Sequence, residues 1–238
     1  MPQTQPAPVD AEGLTDLLGL LAYAELVAFF RLSDDAALAP TLADKAALGA
    51  MAVAEFSHFE RIRAELERLG AEPGAAMAPF TAPLDAFHAR TAPSDWLEGL
   101  VKAYVGDGMA ADFYRAAAVV LDPARRELVL EVLADTGHAQ FAVDHVRAAI
   151  AADPKVGGRL ALWARRVVGE ALGQAQRIAA QRPPLAHLLV SNIPSGATSD
   201  ADGAVSQSEA SQLGEIGRMF ARLTDAHAER MKSLGLSP

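Results

Sequence analysis

The chain has 238 residues, 51% of them hydrophobic and only 6% aromatic, with a net charge of −9 and no cysteine. This composition excludes disulfides, thiolate metal sites, iron–sulfur clusters and thiol nucleophiles. It also argues against non-specific nucleic-acid binding, which needs cations to neutralise phosphates. The apolar load is mainly Ala, Leu and Val, enough for a sizeable core and biased toward helix.

Residues 1–10 read as a polar, Pro-containing tail without the basic and apolar regions of a signal peptide. The first helix is expected from about Ala11 to Leu32. Leu14, Leu18, Leu21, Glu25, Ala28 and Leu32 share one face at the 3–4 spacing. Asp16 and Glu25 make this stretch too polar for a membrane span, so a cytoplasmic protein without a membrane partner is the expectation. A second helix runs from about Thr41 to Leu69, with Gly70 just past its end. Pro73, Pro79, Pro83 and Pro93 then mark 71–93 as a long non-helical crossover.

A third helix opens at Ser94 or Asp95, and Asp122-Pro123 stops it and starts a fourth, which continues to about Ala152. Asp153-Pro154 starts a fifth helix that ends near Pro183. Its Arg159, Arg165, Arg166, Arg177 and Arg182 suit ion pairing within an acidic chain better than a nucleic-acid footprint. Residues 183–207 read as a mobile linker and 208–238 as a C-terminal helix packed on the bundle, ending at Gly235. The fold class is therefore all-α: one helical unit over 11–182, with a four-helix bundle, a long crossover between helices two and three, and two further helices toward the C-terminus.

Across these helices a carboxylate–histidine pattern occurs twice. Glu25 precedes Glu55-Phe56-Ser57-His58, and Asp107 precedes Asp135-Thr136-Gly137-His138, at offsets of 82, 80 and 80 residues. Acid-x-x-His places both side chains on one helix face, a turn apart. The acids lie on apolar stripes, where a carboxylate is costly unless it is paired or bound to metal. Four carboxylates carry −4, which two divalent cations would neutralise. Oxygen and nitrogen ligands suit Fe, Mn or Zn. Asp112 competes with Asp107 for the third-helix position. Five residues turn a helix by about 500°, so only one of the two can face the site. Asp107 keeps the offset, and Asp112 breaks it. A third acid-x-x-His, Asp85 to His88, falls among the prolines of the crossover and reads as solvated surface.

These residues resemble the ferritin-like diiron carboxylate superfamily over about residues 11–152. The segments YAELVAFF, AEFSHFERI, YVGDGMAADFYR and VLADTGHAQF resemble its tRNA-methylthio-isopentenyladenosine hydroxylase branch. The resemblance implies a non-haem diiron oxygenase. Glu25 and Asp107 would be terminal ligands, Glu55 and Asp135 bridging ligands, and His58 and His138 would each bind one metal, with two Fe per chain and Mn as the alternative. It also implies an electron-donating reductase as partner, and tRNA as substrate. A homodimer is a further expectation. Tyr23, Tyr104 and Tyr114, with Asp112 and Glu170, are candidates to hydrogen-bond the ligands. The competing reading of the tyrosines is ordinary packing. The family pattern has Glu at all four carboxylate positions, whereas this chain has Asp at 107 and 135. That shortening motivates two alternatives: a non-catalytic ferritin-like metal-binding or scaffold protein, and a ferroxidase or peroxidase.

Overall fold

A computed structural model describes residues 11–134, 138–190 and 204–237. Among them every regular element is helical: α1 (Ala11–Asp35) with a short 3-10 turn (Ala36–Leu38), α2 (Leu42–Arg68), α3 (Pro73–Arg90), α4 (Trp96–Ala118), α5 (Pro123–Val132), α6 (His138–Ala152), α7 (Lys155–Gln181), α8 (Pro183–Val190) and α9 (Ala204–Ser233).

Local chemistry sets the boundaries. The Thr41 side chain accepts from Asp44 N at the start of α2, Asp95 accepts from Glu98 N at α4, and Asp122 accepts from Arg125 N with Pro123 in the first turn of α5. At the end of α2, Gly70 has φ +76. Ala71 N donates to Leu66 O and Gly70 N to Glu67 O, the paired bonds that close a helix through a left-handed residue. The same closure recurs after α9, where Gly235 has φ +76, Leu236 N donates to Met231 O and Gly235 N to Lys232 O.

Three expectations are corrected. The crossover is not irregular, because most of it is helix α3. Proline costs about 3 kcal/mol inside a helix, but Ala76, Phe80 and Pro83 recur at helical spacing and are buried, and burial of a side chain such as Phe80 contributes about 1.5–3 kcal/mol. Tyr23 Oη donates to Asp85 Oδ1 at 2.7 Å and fastens α3 to α1. The fourth helix is not continuous. α5 ends at Val132, Leu133 lies in a turn with Ala134 N donating to Glu131 O, and α6 begins at His138. Residues 183–190 and 204–207 are not linker but belong to helices α8 and α9, with Leu185 and Leu188 of α8 buried. Residues 1–10 and 191–203, expected as tail and linker, lie outside the described residues.

The helices pack around two main apolar clusters. One joins Leu17, Leu18 and Leu21 of α1 to Ile62 and Leu66 of α2 and Phe80 of α3. The other joins Val101 and Val105 of α4 to Leu160, Ala164 and Val167 of α7, and to Met231 and Leu234 at the C-terminal end. α1 is long and apolar enough to cross a membrane, but 61% of that window is buried, which is the behaviour of a core helix. The α7 arginines are engaged by the protein. Arg159 pairs with Asp95 and Glu98, Arg182 forks onto buried Asp16, and Arg166 donates to Arg90 O.

α1 carries glycines where neighbours approach too closely for a side chain. A Cβ at Gly19 would lie 2.2 Å from Ala76 O of α3, and one at Gly13 would lie 2.5 Å from Pro184 O of α8. Gly19→Ala should therefore force α1 and α3 apart and destabilise the chain by about 1–3 kcal/mol. Gly49→Ala, with nothing within 4 Å of its Cβ, should stabilise by about 0.5–1 kcal/mol. Urea unfolding of the two variants checks both signs.

Candidate metal centre

The α1–α2 hairpin brings three of the expected ligands together. Glu25 comes from α1, and Glu55 and His58 come from successive turns of α2. One donor atom from each lies within 4.8 Å of the others. His58 Nδ1 stands 3.3 Å from Glu25 Oε2 and 3.5 Å from Glu55 Oε2. Glu25 is buried, and the Glu55 and His58 side chains are only 13% and 14% exposed.

Glu25 Oε2 and His58 Nδ1 are both shut off from solvent, yet neither makes an aligned hydrogen bond. Converging oxygen and nitrogen ligands, two carboxylates and one imidazole, suit a cation such as Fe or Mn. Without one the electrostatics are strained. Burial pushes the Glu25 carboxyl well above the usual carboxylate range, His58 pulls it down, and the nearby Glu55 pushes it up again. His58 is pushed up to about 9, chiefly by Glu25 and then by Glu55, against burial. A proton on His58 thus supplies the positive charge that a metal would bring, and an arriving cation must displace it.

Asp107 faces this cluster from α4. It lies beyond the 4.8 Å group, but lines the same 320 Å³ cavity as Glu25, Glu55 and His58. Its accessible surface opens into cavity space, and the carboxyl sits deep enough that burial, followed by the charge of Glu55, pushes its pKa well up. Asp112 points elsewhere. It pairs with Arg230 of α9, and also with Arg115 Nη1 at 3.3 Å. Of the two acids, Asp107 lines the cavity and Asp112 does not. Asp135 lies outside the described residues, and His138 is described only as the first residue of α6. Ala134 and Ala139, which bracket them, both line the cavity.

The supporting residues divide. Tyr104 lines the cavity. Tyr23 does not, because its hydroxyl is spent on Asp85 and is pushed up to about 12 by burial and by that bond. Glu170 is held at the surface by Arg90 Nη1 at 3.3 Å. Tyr114 is the tyrosine beside the ligands. It is buried, lines both cavities, and its hydroxyl is held protonated by burial and by the Glu25 charge.

A second cavity of 230 Å³ lies beside the first. The two share a wall of Ala24, Ala28, Ala103 and Ala110 together with Leu32, Asp107 and Tyr114. His88, expected on the surface, lines this second cavity. Its Nδ1 is buried without a partner, and burial followed by the charges of Lys102 and Arg31 pushes it down to about 3. Sequence reasoning missed it because it discounted α3, although the Ala76, Phe80, Pro83 and Phe87 spacing is a helical signal. It also missed Lys102, and Arg230, whose Nη2 donates to Gly108 O at 2.8 Å while Nη1 faces no partner. The Gly106-Asp107-Gly108 run holds the only clue to Arg230, since a Cβ at Gly108 would lie 2.3 Å from Arg230 Nε.

The sequence matches the family described as "Ferritin-like domain, actinomycetes" over residues 9–192, well over half of the chain. The protein belongs to this family. Its fold is similar to that of a solved structure, protein 19 with aldehyde deformylating oxidase activity from Synechococcus. The TM-score is 0.66 at 18% identity, covering 98% of this chain and 94% of that one. At this identity the likeness is one of fold. No curated protein matches the sequence. The actinomycete family assignment covers every described residue of the cluster and of the cavity wall.

Two outcomes follow for the centre. Fe(II) or Co(II) at about 100 times its dissociation constant should stabilise the native protein by about 2.7 kcal/mol in thermal unfolding. His58→Ala should abolish that gain, with metal affinity in titration falling by about 100-fold or more, at or beyond the largest loss that removing a supporting partner causes. His88 gives a pH signature. Below its ordinary 6.5 the unfolded chain takes up a proton that the folded chain refuses, so its contribution is full above 6.5 and is lost as pH falls toward 3. His88→Gln should flatten the loss of stability across that window, as read by urea unfolding at stepped pH.

Proposed function

We propose that the protein is a non-haem iron oxygenase acting on an apolar group. The carrying observation is the cluster of Glu25, Glu55 and His58, in which Glu25 Oε2 and His58 Nδ1 are buried outside any hydrogen bond, opening on a cavity that adjoins a largely apolar one. Glu25, Glu55 and His58 would hold one iron. Asp107 would contribute from α4, and Asp135 and His138 would complete the second position as the superfamily resemblance implies. Iron bound there would supply dioxygen activation, which no side chain of this chain can perform.

The protein's own part is placement and exclusion. Leu32 and the four shared alanines keep water from the space between the chambers and leave room for an aliphatic group. Tyr114 retains its proton beside Glu25 and is available as a hydrogen-bond donor. Arg230 neutralises Asp112, which leaves Asp107 as the α4 carboxylate toward the cavity.

The named activity of the Synechococcus protein supports an oxidative role for this fold. A modified tRNA base as substrate rests on the sequence resemblance. The apolar cavity accommodates an isopentenyl group, while the charge of −9 gives no support for holding tRNA phosphates. A reductase would be the electron donor. The shorter Asp at 107 supports a second reading, a ferritin-like protein that binds metal without oxygenase turnover.

Anaerobic reconstitution with Fe(II), followed by metal analysis and oxygen-electrode measurement with a chemical reductant, separates these readings. The oxygenase reading expects about two irons per chain and sustained oxygen uptake. Iron bound without oxygen uptake supports the scaffold reading, and oxygen uptake that tracks only added ferrous iron supports a ferroxidase. Iron far below one per chain sinks all three metal-dependent readings.

A further inference from the structure

The second cavity is polarised along its length. On α1 its lining runs down one stripe from Leu20 through Ala24 and Ala28 to Arg31 and Asp35. At 1.5 Å per residue that stripe is about 22 Å long. α4 lines it in the opposite sense, from Lys102 through Asp107 to Phe113. α8 closes the Leu20 end with Leu185 and Leu189. The Leu20 end is therefore apolar, and the Asp35 end carries the charged groups.

At the charged end Lys102 is 7% exposed. Among the described residues it makes no hydrogen bond and no ion pair within 4 Å, and its nearest organised contact is the Phe87 ring, 5.5 Å from Nζ. Burial pulls its ammonium down to about 8, so it remains mostly charged at neutral pH. His88 Nδ1, buried and unpartnered, lines the same end. Two carboxylates oppose it, Asp35 and Asp107, neither within 4 Å of Nζ, and the charge of Arg31 acts against it. The Asp35 carboxyl, pushed toward its neutral form by burial, packs against Gly99, while Arg31 pairs with Asp34 at 3.7 Å on the surface. A buried cation without a partner is costly, and an anion delivered to it removes that cost.

We propose that this cavity binds a linear aliphatic molecule with an anionic head, its head at Lys102 and His88 and its tail between α1, α7 and α8 toward Leu185. Neither end of such a molecule would sit beside Asp107 and the alanine wall; an interior carbon would. Where the oxygenase reading holds, the reaction is then directed to the middle of the chain rather than to its head. Only this last consequence rests on that reading, because the binding does not require metal.

The test uses the full chain without added metal and dodecanoate as probe, read by calorimetry. One dodecanoate should bind per chain. 1-Dodecanol and dodecylamine should bind about tenfold or more weakly, the factor that a hydrogen bond to a charged group supplies. Lys102→Met should weaken dodecanoate by a similar factor and leave 1-dodecanol unchanged, with the thermal midpoint kept or raised. Glu55→Ala and His58→Ala should leave dodecanoate binding intact. Equal affinity for acid and alcohol, no effect of Lys102→Met, or loss of dodecanoate in the Glu55→Ala protein each overturns the proposal. Iron uptake with oxygen consumption but no dodecanoate binding would sink it alone. Dodecanoate binding without iron uptake would leave it standing and remove the oxygenase reading.

Discussion

Two carboxylates and an imidazole sit in the Leu-rich seam between α1 and α2, where charge must be balanced locally because water cannot balance it. Much of the architecture can be read as the means of keeping Glu25, Glu55 and His58 there. The capped and Gly-closed α2 fixes the turn from which Glu55 and His58 project. The leucines of α1 on the N-terminal side of Glu25 pack against Ile62, Leu66 and Phe80, which holds the register of the hairpin. A pair of helices this tightly packed can hold buried charge in place, since relaxing it would open the core.

On the far side of the seam the packing is deliberately incomplete. α1 and α4 touch sparsely, and the space between them is occupied by the two cavities. The two apolar clusters carry the stability, so the space between α1 and α4 can remain hollow. α3, α7 and α8 enclose that hollow. In doing so they turn residues from outside the four-helix pattern, among them His88 and Gln174, toward its interior.

The repeated acid–histidine spacing made the first half of the site legible, because it relied on helix periodicity within two long, well-capped helices. Glu25, Glu55, His58, and the choice of Asp107 over Asp112 as the cavity-facing acid, all follow from angles around a helix axis. The same logic was weaker at Asp135 and His138, where the described helices stop at Val132 and resume at His138, so a single continuous periodicity does not hold. α3 was illegible for a different reason. Proline rules describe an isolated helix, and here Phe80 and Ala76 packing against α1 outweighs them. Lys102 had no sequence signature at all. A lysine one position from Val101 reads as solvated, and only the tertiary arrangement encloses it.

The wall between the two chambers has a kinetic consequence. Four of its side chains are alanines, which possess no rotamers to exchange. An opening edged by leucine or phenylalanine can be widened within picoseconds to nanoseconds by side-chain flips. An opening edged by methyl groups cannot. Along the alanines the gap is set by the separation of the α1 and α4 backbones, and there it changes only when whole helices shift, on the microsecond to millisecond scale. The alanine part of the wall is thus rigid on the timescale of side-chain motion, and Leu32, Asp107 and Tyr114 are the shared side chains with rotamers to exchange between the chambers.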